Sequence, residues 1–93
     1  NGYMSVSIKI ISNNEYEVTV KSKTVTTHLV TLSDKVHKNL ANEKVTKEEL
    51  LDFSFKFLLD RESNTSILSS FELTVISRYF SDYEKSVKKW CSS

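Results

Sequence analysis

Hydrophobic and polar residues alternate along the first part of the chain. Every second residue from 4 to 10 is apolar, and the alternation resumes over residues 15–20. Such alternation is typical of a half-buried β-strand. The polar residues 12–14 lie between the two stretches and include two Asn, which tolerate the left-handed backbone of a tight turn. The pattern therefore predicts a β-hairpin.

Residues 24–32 are dense in β-branched side chains, which favour a pleated strand over a helix. The alternation is poor here, because Val25 and Leu29 fall on one face and Val30 and Leu32 on the other. We expect a third strand that either is covered on both faces or contains a bulge. Together with the hairpin it would form a three-stranded antiparallel sheet.

Helical signals follow the strands. Ser33 or Asp34 is suited to begin a short helix that ends near Asn42. Residues 46–49, Thr-Lys-Glu-Glu, form a capping box and predict the start of a second helix that runs to residue 62. Its polar residues share one narrow stripe, so it is either the central element of a monomer core or packs between the sheet and a second subunit.

The last third of the chain predicts a connection and shorter helices. Residues 61–66 are polar, and the apolar cluster within residues 67–71 suggests one or two helical turns. Thr74 is expected to cap a further short helix, and a second capping box at residues 81–84 to start a terminal one. The prediction is a single α+β domain over residues 1–93: a three-stranded antiparallel sheet, followed by about four helices packed on one face.

Composition and charge limit the classes of protein to which the chain can belong. A chain of 93 residues with 39% hydrophobic residues suits one ordered domain. Thirteen basic and twelve acidic residues give a net charge of +1, so nucleic acid or an acidic membrane would need a local patch. Cys91 is the single cysteine, which excludes an intramolecular disulfide and fits a reducing cytoplasm. With no long apolar run and no signal-peptide pattern, we expect a cytoplasmic protein without membrane contact.

Candidate catalytic chemistry is sparse. His28, His37 and Asp34 could in principle form a metal or proton-transfer site, but their spacing matches no known motif. The chain has one glycine and no phosphate-binding loop or nucleophile elbow. We therefore expect no enzymatic activity, no metal and no cofactor.

The stretch THLVTLSDKVHKNLANEKVTKEELLDFSFKFLLDRE, residues 27–62, resembles the ribbon-helix-helix DNA-binding family. It has a short strand that leads through Leu-Ser-Asp into a first helix, then a brief turn and a capped, leucine-rich second helix. In that family two subunits pair their strands, and the ribbon lies in the major groove. The resemblance implies a dimeric DNA-binding regulator as an alternative function.

The resemblance assigns roles to individual residues. It implies that Thr27, Leu29 and Thr31 face base edges, and that Lys35, Thr46 and Lys47 lie near phosphates. The chain departs from the pattern, because the ribbon face carries no Arg, Lys or Asn and two extra strands precede it. Phosphate contacts supply much of the affinity for DNA, and a ribbon without basic residues would bind DNA weakly. Nucleic acid is therefore not the favoured partner.

The tail SILSSFELTVISRYFSDYE is similar to the closing segment of a family of short, uncharacterised prokaryotic proteins, in which a proline is expected at the position of Ser81. This resemblance brings no activity. The same end of the chain is rich in aromatic residues, which are either core or a surface for an unknown protein partner or a second copy. The candidate partner contacts are Arg78, Tyr79, Tyr83 and Trp90. We predict a small non-enzymatic domain that acts through protein contacts.

Overall fold

The structure, a computed structural model, describes residues 4–93. Residues 1–3, the start of the predicted domain 1–93, lie outside the described part. The strands are β1 (Ser5–Ile10), β2 (Glu15–Lys21), β3 (Val25–Thr31) and β4 (Ser70–Glu72). The α-helices are α1 (Asp34–Ala41), α2 (Lys47–Leu59), α3 (Ile76–Tyr79) and α4 (Tyr83–Ser92), and short 3-10 turns lie at Asn64–Ser66 and Leu73–Val75. The predicted α+β class is confirmed.

The sheet has four strands in the order β1-β2-β3-β4, so the prediction of three antiparallel strands is wrong in this detail. β1, β2 and β3 are antiparallel neighbours, whereas β4 runs parallel to β3. The predicted helical turns at residues 67–71 are also wrong, because part of this stretch forms β4. The Leu29 N–H donates to the Ser69 carbonyl at 2.8 Å, and Phe71 lies beside Val30.

β3 alternates more regularly than its composition suggests. Its register with β2 is continuous from Val25 to Thr31, so the ladder contains no bulge. Val30 is buried, while Val25 and Leu29 on the other face are 62% and 39% exposed. Neither expectation, a bulge or cover on both faces, is met. His28 occupies an inward-facing position of β3, where regular alternation would place an apolar residue. It is only 2% exposed.

The position of β3 bears on the ribbon-helix-helix resemblance. That family pairs this strand with its copy in a second subunit. Here β3 pairs with β2 along its whole length and with β4 over Leu29, Val30 and Thr31. Both edges of the strand are engaged within one chain, so the ribbon arrangement is not the one observed.

α2 is the central element of the monomer core, the first of the two predicted alternatives. Its capping box is confirmed: Thr46 Oγ1 accepts the Glu49 N–H at 3.0 Å, and Glu49 Oε1 accepts the Thr46 N–H at 2.8 Å. Leu50, Leu51 and Phe55 are fully buried. The helix contacts β1, α1 and α4, and so joins the sheet to two of the other helices.

Of the caps predicted for the other helices, the one at α1 is observed and those at Thr74 and at residues 81–84 are not. α1 follows its prediction, since Ser33 Oγ accepts the Val36 N–H at 3.1 Å and Asn42 adopts a left-handed φ of 52°. The second capping box is wrong, because α4 begins after Asp82 and no side chain caps it. The Asp82 carboxylate instead accepts from Arg61 at 2.9 Å. Thr74 lies inside a 3-10 turn and caps no helix.

Lys47 ties the β1–β2 turn to the two first helices. Its Nζ lies 2.7 Å from Asp34 Oδ1 and donates to the Asn13 carbonyl at 3.2 Å. The side chain is only 11% exposed, so the ammonium is largely withdrawn from water and paired. This contact fixes the start of α1 against the start of α2.

The Asp34 carboxyl is expected to titrate below its ordinary range. The hydrogen bond from Lys47 holds the pKa of Asp34 below its usual 3.8. Because the folded pKa is the lower one, the stability that this carboxylate contributes is present above pH 3.8 and is lost as the pH falls through the folded pKa. In Lys47→Met the Asp34 midpoint, followed by carbon NMR of the carboxyl group, should rise toward 3.8. Lys56→Met, which removes the partner of Asp52, is the matched control and should leave Asp34 unchanged.

Candidate functional site

An apolar groove lies where the end of α2, the loop that follows it, β4 and α3 meet. Its volume is about 220 Å³. The apolar side chains that line it include Leu58, Ile67, Leu68, Phe71, Tyr79 and Phe80. Leu58 and Ile67 are buried, whereas Tyr79 and Leu68 are 68% and 46% exposed. The groove therefore has a dry base and a rim of large apolar side chains that face solvent.

The size of the groove limits what it holds. Sites for drug-sized ligands and cofactors span roughly 300–1,000 Å³, and a dry cavity of about 150 Å³ accepts a benzene ring. At about 220 Å³ the groove suits one large or two small apolar side chains. Glu62, half-buried, contributes a carboxylate to the lining.

Arg61 supports the wall formed by Phe80. Its guanidinium carbon lies 3.5 Å from the centroid of the Phe57 ring and 5.9 Å from that of Phe80. It also donates to the Phe57 carbonyl at 2.8 Å and to Asp82 at 2.9 Å. The rings of Phe57 and Phe80 meet edge to face, with centroids 5.9 Å apart. This network holds the end of α2 against the end of α3.

The loop wall, residues 63–69, is attached to β3 by buried polar side chains. Asn64 donates from Nδ2 to the Thr24 carbonyl at 3.1 Å and to Thr26 Oγ1 at 2.9 Å. His28 bonds through Nδ1 to the Leu68 carbonyl at 2.7 Å and through Nε2 to Thr26 Oγ1 at 2.8 Å. These bonds place Leu68 at the rim of the groove.

The bonding of His28 fixes which ring nitrogen carries a proton. A carbonyl oxygen only accepts, so His28 Nδ1 is the donor to Leu68. Thr26 Oγ1 already accepts from Asn64, and its hydroxyl hydrogen is free to be donated to His28 Nε2. Both ring nitrogens of His28 therefore have a hydrogen-bond partner. His28 acts as a structural connector and presents no free nitrogen to a reactant.

The predicted partner contacts separate into two groups. Tyr79 lines the groove, and Arg78 precedes it on the exposed surface of α3. Tyr83 is fully buried, and burial raises its pKa well above the ordinary 10.0. Trp90 is half-buried and stacks on Phe53 with ring centroids 4.4 Å apart. The structure thus brings Tyr79 to an accessible site and places Tyr83 and Trp90 in or against the core.

None of the residues that the DNA-binding resemblance singled out lines the groove. Thr27 and Thr31 belong to the outer face of the sheet, and Lys35 is exposed on α1. Thr46 caps α2, and Lys47 is paired with Asp34. Lys47, one of the two cations expected near a phosphate, is therefore already paired with a carboxylate of the same chain.

The two histidines have separate structural roles. His37 bonds through Nε2 to the Val45 carbonyl at 2.5 Å and so closes the turn between α1 and α2. His28 bonds to the Leu68 carbonyl on the far side of β3, as described above. Within residues 4–93, no group of three or more His, Cys, Asp or Glu side chains is arranged to hold a metal ion.

Sequence reasoning missed most of the groove. Ile67, Leu68 and Phe71 were recognised as an apolar cluster but were assigned to helical turns. Nothing in the sequence marked Leu58 or Glu62 as part of a binding site. Leu58 was predicted to be core, and Glu62 is the last residue of the predicted second helix. The spacing of Ile67, Leu68 and Phe71 also fits one helix face, so the sequence carried no signal that separates a strand from helical turns here.

Among the helices of residues 4–93, none has both the length and the apolar character that crossing a bilayer requires. Comparison of the chain with protein-family models, with curated proteins and with solved structures found no match. The resemblances of residues 27–62 and of the tail therefore stay predictions.

Proposed function

We propose that this chain is a non-enzymatic protein-binding domain that holds an apolar segment of a partner protein in the groove between β4 and α3. The observation that carries the proposal is the pair of exposed apolar side chains at the rim, Tyr79 at 68% and Leu68 at 46%, beside a buried apolar base. Large apolar side chains grouped around a concavity are typical of interaction sites.

The composition of the rim supports this function. Tyr is enriched among the residues that dominate binding energy at interfaces, and Tyr79 lines the groove with most of its side chain exposed. The partner segment would place an apolar side chain against Leu68, Phe71 and Tyr79. A cytoplasmic location, inferred from the lone Cys91, is part of the same proposal.

The groove is also preformed, which favours binding. His28 and Asn64 fix the loop wall, and Arg61 fixes the wall at Phe80. A site whose side chains are already ordered loses little conformational entropy when a partner docks. This supports recognition by a fixed surface, with little rearrangement of the domain.

Site-specific photo-crosslinking in an extract of the source organism tests the proposal. A photoreactive residue at position 68 or 79 should capture a protein that the same residue at position 25 does not. Val25, 62% exposed on the outer face of the sheet, is the matched control. The captured protein, once purified, should bind Leu68→Lys at least about tenfold more weakly than the native domain, and Val25→Lys about as well as the native domain.

Several outcomes would contradict the proposal. Capture of the same proteins from positions 25 and 68, or equal affinity of Leu68→Lys and the native domain, would remove the groove as the binding site. Sedimentation provides a further check. A dimer that Leu68→Lys dissociates would show that the groove is filled by a second copy of the chain, and a strict monomer with no captured protein would count against a binding function.

A further inference from the structure

β4 forms one edge of the sheet and lies directly beside the groove. The Leu29 N–H donates to the Ser69 carbonyl at 2.8 Å, and the ladder pairs Leu29 with Ser70 and Thr31 with Glu72. In a parallel ladder of this register the peptide groups of alternate residues point to opposite sides. Those of Ser70 and Glu72 therefore point away from β3, toward an edge that no strand covers within residues 4–93.

We propose that the partner segment is an extended strand that pairs with this edge, inserts one large apolar side chain into the groove and carries Lys or Arg next to it. The inference rests on the proposed function and specifies the form in which the partner binds. Addition of a strand to a sheet edge provides main-chain hydrogen bonds, and a pocket beside the edge selects alternate side chains.

The side-chain alternation of β4 explains how both contacts arise together. Phe71 faces the helices beside Val30 and lines the groove, whereas Ser70 and Glu72 face the outer side of the sheet. In an added strand the residue level with Phe71 would share its face. Its side chain would therefore enter the groove while the neighbouring residues stayed on the outer side.

The charges at this edge favour a basic segment. Glu72 is exposed, and in an added strand the residues flanking the apolar one would lie on the same face as its carboxylate. Glu62 in the groove lining is also acidic, and Glu15 shares the cross-strand row of Thr31 and Glu72. Arg61, which follows α2, is already paired with Asp82, and Arg78 is exposed on α3.

The opposite edge of the sheet lacks this combination. Within residues 4–93 β1 also leaves one edge unpaired, but its inward residues Val6 and Ile8 pack against the core, and the exposed Ile10 on the same face does not line the groove. The groove adjoins β4, and an apolar side chain from a strand added there has a place to go. The inference therefore concerns β4 alone.

The test uses a synthetic peptide, acetylated and amidated, of sequence Thr-Lys-Leu-Lys-Thr, titrated into the isotope-labelled domain. Saturable NMR shifts are expected at the amides of Ser70 and Glu72 and at Leu68 and Tyr79. Two N-methylated peptides then separate the directions of pairing. With the central Leu level with Phe71, methylation of its nitrogen blocks a parallel strand, and methylation of the Lys nitrogens blocks an antiparallel one. One of the two should bind at least about tenfold more weakly.

The same titration tests the charge preference. The Lys peptide should bind the native domain several-fold more tightly than Thr-Glu-Leu-Glu-Thr, and Glu72→Lys should reverse that order. Equal binding of the two peptides to the native domain would overturn the preference for a basic segment.

The remaining outcomes separate this inference from the proposed function. If neither N-methylated peptide is weakened while Leu68→Lys still abolishes binding, strand addition is overturned and the groove stands as the binding site. If no peptide binds at concentrations up to roughly 10 mM, strand addition is also overturned. The role of the groove as a binding site is then tested only by photo-crosslinking at positions 68 and 25.

Discussion

His28→Ala is expected to lower the free energy of unfolding by about 2–4 kcal/mol. The substitution removes a buried ring whose centroid lies 5.4 Å from that of Phe55, and it leaves the Leu68 carbonyl without its donor. The hydroxyl of Thr26 loses a partner as well. Chemical denaturation followed by circular dichroism measures the loss. Because the loop wall would be released, peptide binding at the groove should weaken under conditions where the variant is still folded.

The neighbouring residue provides a control. Thr27 lies on the same strand but is exposed on the outer face of the sheet, so Thr27→Ala should change the free energy of unfolding by no more than about 0.5 kcal/mol. Hydrogen exchange gives an independent reading, since the Leu29 N–H that bonds Ser69 should lose protection in His28→Ala. Equal effects of the two substitutions would refute the connecting role of His28.

The second large effect concerns the buried hydroxyl pair of Ser54 and Tyr83. Ser54 Oγ donates to the Leu50 carbonyl at 2.7 Å, so its single hydrogen is committed and the Tyr83 hydroxyl, at 2.5 Å, donates to Ser54. Ser54→Ala leaves the Tyr83 hydroxyl buried without an acceptor and should cost about 1–3 kcal/mol of unfolding free energy. Tyr83→Phe leaves Ser54 bonded to Leu50 and should cost only about 0.5–1.5 kcal/mol.

Denaturation of both single variants and of the double variant measures this asymmetry. The double variant should be less destabilised than the sum of the two, because each removes the same hydrogen bond. A larger loss for Tyr83→Phe than for Ser54→Ala would reverse the assignment of donor and acceptor.

The same burial predicts sensitivity to alkaline pH. Burial raises the pKa of Tyr83 well above 10.0, and it also raises that of Tyr16. Because these folded pKa values are higher than the unfolded ones, the resulting stability is complete below pH 10 and is lost as the pH rises. Tyr83→Phe should reduce that loss, which denaturation at increasing pH would show.

The local parts of the fold were predictable from the sequence because their signals are local. Alternation gave β1 and β2, and the capping box at residues 46–49 gave the start of α2 to within one residue. The hydrogen bonds of a cap join residues three positions apart, so the pattern and the structure coincide. The capping box predicted at residues 81–84 does not form. Asp82 instead accepts a hydrogen bond from Arg61, which lies 21 residues earlier in the sequence.

β4 and the groove depend on contacts that no short window contains. A strand of three residues is too short to show alternation, and its partner β3 is distant in sequence. The bulge or two-sided cover predicted for β3 was wrong because of His28. A polar residue in a buried position interrupts the alternation of apolar and polar residues in the sequence. The sequence left the aromatic residues of the tail as either core or a partner surface, and only packing separates the exposed Tyr79 from the buried Tyr83.

The parallel pairing of β4 has a consequence for the order in which the molecule assembles. The β1–β2–β3 meander joins neighbours in sequence, whereas the bond from His28 to Leu68 closes a loop of 40 residues. Closing a long loop costs more chain entropy than forming a hairpin, so β4 should join the sheet late in folding. A chain still emerging from the ribosome would therefore have its meander before its groove. Recognition of a partner would begin only once the groove residues of β4 and α3 have been synthesised.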